Sequence, residues 1–315
     1  LKKLASSGDK RVLPAITGRL TDPREEVRKA AFEGLLQLRD LDTLQSLLSN
    51  GDISEDFRKA TALELMRQNE ASYAKAGIVY MLGRHAGAEA AEAITIIEMR
   101  KYQDLSPELV KALGHTDLDV AKAAVSAIGN LDLIALLPDL SKAAQRPELL
   151  ELVRGTIAKL LANRSVKEVM SYAGSEDMLV RELAVLALVK AAKELQGAKQ
   201  EPILALLEQR MKDKELVIRQ AAVQTLFEIG GEANWNRVLK AKSDPDVPIR
   251  LMAVDAAMAM ANETGDAVIL EKLDDENDEV RVRSIIAVRQ RMLKVARSKL
   301  KSFVGSRNRD MKLET

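Results

Sequence analysis

The chain has 315 residues, of which 47% are hydrophobic, 30% are charged and 3% are aromatic. It contains no cysteine, which excludes disulfide bonds, thiolate zinc sites and cysteine nucleophiles. The formal net charge of +1 argues against attraction of the whole chain to nucleic acid or to an acidic membrane.

The composition predicts helices that pack through small and medium-sized apolar side chains. Gly and Pro are few, at 16 and 8, so the composition favours helices packed through Ala, Leu, Val, Ile and Met. Residues 1–7 are typical of the end of one helix, and a second helix is predicted from Arg11 to Leu20. No uncharged apolar run approaches the roughly 18 residues of a membrane span. We therefore expect a cytoplasmic chain, or the cytoplasmic region of a larger protein.

A short pattern then recurs, in which an Asp is followed by an apolar residue and Arg. An Asp before a helix accepts first-turn amides as an N-cap, and Pro is tolerated at the first helical position. Apolar residues after each pattern recur at helical spacing, and Gly or Asn ends the segment before a shorter second helix. The copies are Asp22 with Val27-Arg28, Asp52 with Phe57-Arg58, Asp177 with Val180-Arg181, Asp213 with Ile218-Arg219, Asp244 with Ile249-Arg250, and Asp275 with Val280-Arg281.

Residues 68–116 form the irregular part of the array. The apolar-Arg signature lapses there, although helical segments are still predicted and the length suits about two units. Three of the four tyrosines lie in this part, at Tyr73, Tyr80 and Tyr102. We predict that they fill gaps in imperfect packing, or that they form a contact patch for a partner, since Tyr is favoured at interfaces.

The middle of the chain carries weaker copies of the pattern. Asp117 precedes Val120 without the Arg, and Arg146-Pro147 precedes Val153-Arg154. The polar segment 193–201 holds surplus residues, which predicts a longer loop or a lengthened helix between two copies.

Residues 213–315 form the most regular part, because Asp213, Asp244 and Asp275 are separated by an unchanging interval of 31 residues. A fixed period of this length is typical of a stacked array in which no unit buries its apolar face alone. A new first helix is expected at Met311, yet the sequence stops at Thr315. We therefore expect these 315 residues to be an excerpt of a longer chain with flanking domains.

These units resemble the HEAT repeat, in particular the short bacterial variety found in phycobilisome lyases. The resemblance implies one all-α, right-handed α-solenoid over residues 1–315, with about nine to ten helical hairpins. It also implies that each repeated Arg reaches the Asp of the adjacent unit and forms a ladder, whose pairs contribute on the order of 0 to 1 kcal/mol each when exposed. The matching segments are Asp22 to Leu38, Asp213 to Ile229, Asp244 to Met260, and Asp275 to Arg291.

Catalytic groups are few. His85 and His115 are predicted to be surface residues, and neither precedes the Glu of the paired His-Glu ligands found in HEAT-repeat hydroxylases. HEAT-like alkylpurine DNA glycosylases use several Trp and an acidic residue around an extruded base, whereas this chain has Trp235 alone. The carboxylates of 274–279 fit a helix amino terminus better than a calcium loop. We predict no catalytic residue, no cofactor and no metal.

A basic segment follows the regular repeats. Residues 281–315 carry a net charge of +9, whereas the preceding residues sum to −8. The repeat register predicts a second helix over 294–304, and second helices commonly line the concave face of HEAT arrays. An acidic protein segment, nucleic acid phosphates and an anionic membrane all suit such a patch. Its candidate contact residues are Lys294, Arg297, Lys299 and Lys301.

The sequence thus predicts a non-catalytic protein-interaction scaffold that binds its partner along the concave face. One alternative is a nucleic-acid-binding solenoid that uses the basic carboxy-terminal repeat. A second alternative, implied only by the resemblance, is a lyase-like chaperone for a bilin.

Overall fold

A computed structural model describes residues 8–294 and 300–301 of the chain. The described residues form α-helices joined by short turns and 3-10 segments, with no strand among them. Within this part of the chain, no helix is both long and apolar enough to cross a membrane. The helices are α1 (Leu13–Thr17), α2 (Glu25–Leu38), α3 (Leu41–Leu47), α4 (Glu55–Met66), α5 (Ala71–Arg84), α6 (Ala88–Arg100), α7 (Ser106–Leu113), α8 (Leu118–Asn130), α9 (Leu137–Ala143), α10 (Pro147–Ala162), α11 (Val166–Tyr172), α12 (Met178–Glu194), α13 (Glu201–Arg210), α14 (Leu216–Ile229), α15 (Glu232–Val238), α16 (Val247–Ala259), α17 (Glu263–Lys272) and α18 (Asp278–Arg291).

The chain divides into two compact units, Leu1–Leu160 and Leu161–Thr315. In unit 1, α4 and α5 form a closely packed hairpin, and α7 packs on α8. In unit 2, hairpins pair α12 with α13, α14 with α15, and α16 with α17. Within each unit the first helix of a hairpin also packs on the first helix of the next, as α6 does on α8 and α12 does on α14. The prediction of an all-α solenoid built from helical hairpins is confirmed.

The cores consist of medium-sized side chains, as the composition predicts. Leu226 of α14 and Val254 of α16 are fully buried, and so are the small residues Ala222 and Ala253. Two hairpins close more tightly still, because a Cβ at Gly77 would lie 2.5 Å from the carbonyl oxygen of Ala62. A Cβ at Gly265 would lie 2.5 Å from the carbonyl oxygen of Ala257. At these positions only glycine lets the two helices of the hairpin come this close.

Two predicted elements differ in the structure, and a third lies largely outside the described residues. The helix predicted from Arg11 to Leu20 is shorter, since a 3-10 turn at Lys10–Val12 precedes α1 and Pro14 lies at its amino terminus. The surplus of 193–201 is divided between a lengthened α12 and a 3-10 turn at Gly197–Lys199. The second helix predicted over 294–304 lies largely outside the described residues.

Candidate functional site

Each turn that leads into a first helix of the regular repeats is built around a buried Asp. Asp213 accepts the backbone N–H of Glu215 at 3.1 Å, and Asp244 accepts that of Asp246 at 2.9 Å. The helix N-caps are therefore Glu215 and Asp246, two residues beyond the Asp. The prediction that these Asp residues are N-caps is wrong, because their carboxylates close the turn before the cap. Asp177 of unit 2 is a true N-cap, and accepts the N–H of Val180 at 3.0 Å.

The repeated Arg of one hairpin pairs with the Asp of the next turn throughout the regular repeats. Nε of Arg181 lies 3.2 Å from Oδ2 of Asp213, and Nε of Arg219 lies 3.0 Å from Oδ2 of Asp244. The third pair joins Nη2 of Arg250 to Oδ1 of Asp275 at 3.0 Å. These contacts form the predicted ladder within unit 2.

The ladder is buried, which the sequence does not indicate. Arg250 is only 4% exposed, and its Nη1 also donates to the carbonyl oxygens of Asp244 and Pro245 at 2.9 and 3.0 Å. Each Arg therefore ties its own turn to the following one. The energetics of an exposed pair do not apply, because removal of one partner leaves a buried charge uncompensated.

Neighbouring groups shift the pKa values of two members of the ladder, Arg219 and Asp275. Hydrogen bonding to Asp244 raises the pKa of the Arg219 guanidinium. Burial opposes ionisation of Asp275, but the N–H of Asn277 and the side chains of Arg250 and Lys272 lower its pKa on balance. The ionised forms of Arg219 and Asp275 are thus favoured by their surroundings.

A second feature of unit 2 is the exposed surface along its short second helices, which we call the second-helix face. Its positions follow the repeat register, so that Gln209 of α13 corresponds to Lys240 after α15 and to Glu271 of α17. Small residues stand between the polar ones, and Ala205 and Ala233 are both exposed. The second-helix face consists of Lys167, Ser171, Ala205, Gln209, Lys212, Ala233, Asn236 and Lys240.

Two carboxylates beside this face, those of Glu201 and Glu208, are paired with cations. Glu208 lies 2.9 Å from Nζ of Lys240 and 2.5 Å from Nη1 of Arg237, which also contacts Glu201 at 3.0 Å. Burial opposes ionisation of Glu208, yet these two cations lower its pKa on balance. Lys212 is exposed, and no ion pair to it is found within the described part of the chain. The face therefore presents amide, hydroxyl and ammonium donors.

A cleft of about 470 Å³ lies at one end of the second-helix face, between two successive turns. Its polar rim includes Lys212, Lys240 and Ser243, and its floor includes Arg219 and Met211. Both carboxylates of its ladder turns, Asp213 and Asp244, are paired with arginines. Donors on the rim are suited to an anionic group such as a phosphate.

The predicted basic patch is only partly within the described residues. Lys294 and Lys301 are exposed, and Arg297 and Lys299 lie outside the described residues. The patch stays a prediction.

The three predicted tyrosines are each engaged inside unit 1. The hydroxyl of Tyr73 donates to Asp42 at 2.7 Å, and this bond raises the pKa of Tyr73 to about 12. Tyr80 is buried, and its hydroxyl donates to Oε1 of Glu55 at 2.9 Å. The ring of Tyr102 lies 4.8 Å from Nζ of Lys75. These contacts favour a packing role, while the alternative of a partner patch stays a prediction.

Neither histidine is a freely exposed surface residue, contrary to the prediction. Nδ1 of His115 accepts the N–H of Asp117 at 2.9 Å, so it closes the turn before α8 as an Asp does elsewhere. Nε2 of His85 lies 3.0 Å from Glu55, and the His85 side chain is 13% exposed. Trp235 is half-buried, and its Nε1 donates to the carbonyl oxygen of Phe227 at 3.4 Å. The edge of the indole is thereby held inside its own hairpin.

Sequence reasoning missed the second-helix face. Its lysines are scattered in the sequence, and the overall charge of +1 averages them with the carboxylates of other surfaces. The 31-residue register was the signal that would have gathered Gln209 and Lys240 onto one surface.

Comparison with known proteins bears on both fold and function. A family described as DNA alkylation repair enzyme matches residues 118–240, which include α8 to α15. No curated protein matches the chain.

Solved structures show the same kind of architecture. The karyopherin Kap121p, bound to the SUMO protease Ulp1p, is 11% identical with a TM-score of 0.50, over 96% of this chain and 40% of Kap121p. Kap95p in a structure with RanGDP is 12% identical with a TM-score of 0.43, over 96% of this chain and 44% of the other. Human deoxyhypusine hydroxylase is 18% identical with a TM-score of 0.35, over 92% and 99%. At such identities the Kap121p likeness shows the fold alone, a HEAT-like repeat solenoid.

The family match overturns two predictions. The predicted non-catalytic scaffold is wrong, because the matched family is one of repair enzymes, and the prediction that the chain is not an enzyme is wrong for the same reason. The alternative of a bilin chaperone finds no support in a family that repairs DNA. The sequence prediction excluded an enzyme because His and Trp are few. The family match rests instead on several successive hairpins. Similarity to a family of DNA alkylation repair enzymes over residues 118–240 is therefore the functional finding for this chain.

Proposed function

We propose that this chain takes part in the repair of alkylated DNA as an enzyme, and that the second-helix face lies against the DNA backbone. The observation that carries the proposal is the match of residues 118–240 to DNA alkylation repair enzymes. The matched segment includes the part of the second-helix face from Lys167 to Lys240.

The distribution of charge along the repeats supports this placement. Inside the matched segment the register position after the second helix carries Gly174 and then Lys212, whereas beyond the segment it carries Ser243 and then Asp274. The register position that carries Gln209 and Lys240 likewise carries Glu271 in the next repeat. A phosphate backbone is attracted to ammonium groups and repelled by carboxylates, so the favourable surface ends where the match ends.

The side chains between the lysines suit close contact with a duplex. Ala205 and Ala233 are exposed and short, so the backbone of the nucleic acid can approach the helices. Gln209, Asn236 and Ser171 supply neutral donors beside the lysines. Such contacts position a duplex without reading its sequence, as an enzyme that searches for scattered lesions requires.

Binding is tested by fluorescence anisotropy with a labelled duplex at two salt concentrations. Charge removal in the double variant Lys212→Gln, Lys240→Gln is expected to lower the affinity at least about tenfold, because each phosphate contact contributes to counterion release. The slope of log Kd against log salt concentration is expected to fall by about two, one for each lost phosphate contact.

The matched control is the double variant Lys190→Gln, Lys193→Gln. These lysines are exposed and lie in unit 2 on the first helix α12, away from the second-helix face. Equal losses in both double variants would contradict the placement of DNA on the second-helix face.

Activity is tested by incubating the full chain with a duplex treated with dimethyl sulfate and measuring released methylated bases by mass spectrometry. Release above that from untreated duplex is expected. If no modified base is released, and methylated duplex binds no better than untreated duplex, a role in alkylation repair is refuted.

Three further properties are proposed with less direct support. The Asp and apolar-Arg spacing of residues 213–291 supports repeats of the phycobilisome-lyase type. A protein partner, or a flanking domain of a longer chain, is proposed because Kap121p, a solenoid of similar fold, was solved with a bound protein. A cytoplasmic location is proposed from the absence of cysteine.

A further inference from the structure

The three turns of the ladder differ in their balance of charge. At the Asp244 turn, Arg219 is paired with two carboxylates, those of Asp244 and Asp246. At the Asp275 turn, Arg250 and Lys272 face Asp275 and Glu276.

At the Asp213 turn, two arginines share one carboxylate. Nε of Arg181 lies 3.2 Å from Oδ2 of Asp213, and Nη1 of Arg210 lies 3.4 Å from the same oxygen. Arg181 and Asp213 are deeply buried, with side chains 8% and 7% exposed. This turn therefore carries an excess of one positive charge in a partly desolvated place, where charge is costly unless it is paired.

Arg210 is the guanidinium with donors to spare. Among the described residues, its 3.4 Å contact with Asp213 is the one ion pair found for it, and its buried Nε has no hydrogen-bond acceptor there. The Arg210 side chain is 19% exposed, so its position combines restricted hydration with access from outside. Buried donors are normally hydrogen-bonded, so a partly paired and partly exposed guanidinium favours an acceptor that enters from outside.

A cleft of about 560 Å³ opens beside these arginines, between the turn before α12 and the turn before α14. Gly174 in its wall takes the register position that Lys212 and Ser243 occupy in the next two turns. A Cβ at Gly174 would lie 3.2 Å from the carbonyl oxygen of Ser171 and 3.9 Å from Nη2 of Arg210, so a longer side chain there would reach the guanidinium. The cleft is lined by Gly174, Ser175, Glu176, Arg181, Arg210, Asp213 and Lys214.

We propose that this cleft binds a phosphate group, with Arg210 as its main ligand. Lys214, which is exposed and lies 3.7 Å from Glu215, is a second cation at its edge. A guanidinium fork matches the oxygens of a phosphate, and its spare donors supply charge-assisted hydrogen bonds. Glu176 lies on the exposed side of the lining and favours an occupant that approaches from the Lys214 side. The phosphate group belongs either to a nucleic acid backbone or to a free phosphate.

The first experiment uses inorganic phosphate and the full chain at constant ionic strength. Phosphate is expected to raise the Tm of the wild type and of the control Lys190→Gln, and to leave the Tm of Arg210→Gln unchanged. Arg210→Gln removes only a 3.4 Å ion pair, so the variant is expected to fold. A second variant, Gly174→Glu, keeps Arg210 and places a carboxylate at the cleft, and it is expected to lose the phosphate response as well.

The second experiment measures duplex DNA binding by anisotropy with the same four proteins. A loss of about tenfold in Arg210→Gln and Gly174→Glu, with Lys190→Gln unchanged, identifies a backbone phosphate as the occupant. A response to inorganic phosphate with unchanged DNA binding identifies a free phosphate, and leaves the proposed repair function to be judged by base release. If the wild type and Arg210→Gln respond alike to phosphate and bind duplex alike, the site does not exist.

Discussion

The turns that precede the first helices differ between the regular repeats of unit 2 and the irregular repeats of unit 1. In the regular repeats, from Asp213 to Arg291, a buried Asp closes each turn and an Arg from the preceding hairpin pairs with it. In the irregular repeats the corresponding groups are different at each turn. Both regions nevertheless build hairpins of similar length that stack in the same order.

The irregular repeats satisfy the same backbone groups with other acceptors. His115 accepts the N–H of Asp117 through Nδ1. Asp117 in turn accepts the N–H of Gly87, which lies before α6 at a φ of +77°, from a distance of 2.8 Å. At another turn the hydroxyl of Tyr80 and Nε2 of His85 converge on Glu55. The hairpin thus requires an acceptor at the turn, and does not require a particular residue to supply it.

The ion pairs of the two regions differ in how much they contribute to stability. Ladder pairs in the regular repeats are buried, so they depend on one another to remain compensated. The pair that joins the irregular repeats to the preceding helix α4, Lys59 with Glu89 at 2.8 Å, is about one-third exposed at each side chain. We therefore expect single charge removals to matter far more in unit 2 than in unit 1.

The largest expected effect comes from Arg250→Ala. It leaves Asp275 buried with only Lys272 beside it, and a broken buried pair typically costs about 3 to 5 kcal/mol. The matched control, Lys59→Ala, removes an exposed pair and is expected to cost about 0 to 1 kcal/mol. Hydrogen exchange measured by mass spectrometry is suited to the comparison, because repeat arrays open locally.

Exchange is expected to rise in the peptides of α16 to α18 for Arg250→Ala. It is expected to stay near the wild-type level in α4 to α6 for Lys59→Ala. Similar increases in the two variants would show that burial does not separate the two kinds of turn.

The sequence anticipates the ladder and not its energetics. An Asp and an Arg at a constant spacing predict their pairing, and Arg219 with Asp244 confirms it. Their burial depends on how closely neighbouring turns stack, which no single repeat encodes. An Arg is ordinarily an exposed residue, so residue type alone predicts an exposed ladder.

The irregular turns and the second-helix face were beyond prediction for different reasons. A His that acts as a turn acceptor, such as His115, has no sequence signature, because its role depends on which nitrogen is free. The second-helix face is spread over three hairpins, so its lysines have no local pattern. The proposed function rests on similarity to a family over residues 118–240, which composition does not reveal.

A second test asks whether close helix contact matters equally in both regions. Gly77→Ala in unit 1 and Gly265→Ala in unit 2 each place a Cβ 2.5 Å from a backbone oxygen. Backbone cannot yield as a side chain can, so each variant is expected to lose about 1 to 3 kcal/mol, as overpacked cores do. Both losses should appear as faster exchange in the affected hairpin.

The control for this pair is Gly155→Ala in α10. A Cβ at Gly155 meets nothing within 4 Å, so the variant is expected to gain up to about 1 kcal/mol from helix propensity. A loss at Gly155 equal to that at Gly77 would mean that helix contact is not the cause.

A third test uses pH. The pKa of Asp275 is lowered below its ordinary value of 3.8, because the effects of Asn277, Arg250 and Lys272 outweigh the burial that opposes ionisation. The ionised carboxylate therefore contributes stability that is present above that value and is lost as the pH falls through the lower, folded-state pKa. The difference in stability between the wild type and Asp275→Asn is expected to be largest near neutral pH and to narrow below pH 3.8.

Acid unfolding followed by far-ultraviolet circular dichroism measures this difference. The exposed Asp52 of unit 1 offers the control Asp52→Asn, for which we expect the curve of the wild type. A constant difference between Asp275→Asn and the wild type across the acid range would show that ionisation of Asp275 contributes nothing.

The smallest expected effect concerns the other end of the first helices. In unit 1, α6 ends at Lys101 with φ +54°, a left-handed conformation that side chains other than glycine adopt at a cost. In unit 2 the corresponding end of α14 has Gly230, at φ +78°. Lys101→Gly is therefore expected to stabilise α6 by up to about 1 kcal/mol, less the favourable interaction of the Lys charge with the helix carboxyl end. Exchange of the last amides of α6 should slow in this variant, while Gly230→Lys should speed exchange in α14. If Lys101→Gly weakens α6, the cationic charge at the helix end outweighs the backbone strain, and α6 holds its end by electrostatics where α14 uses glycine.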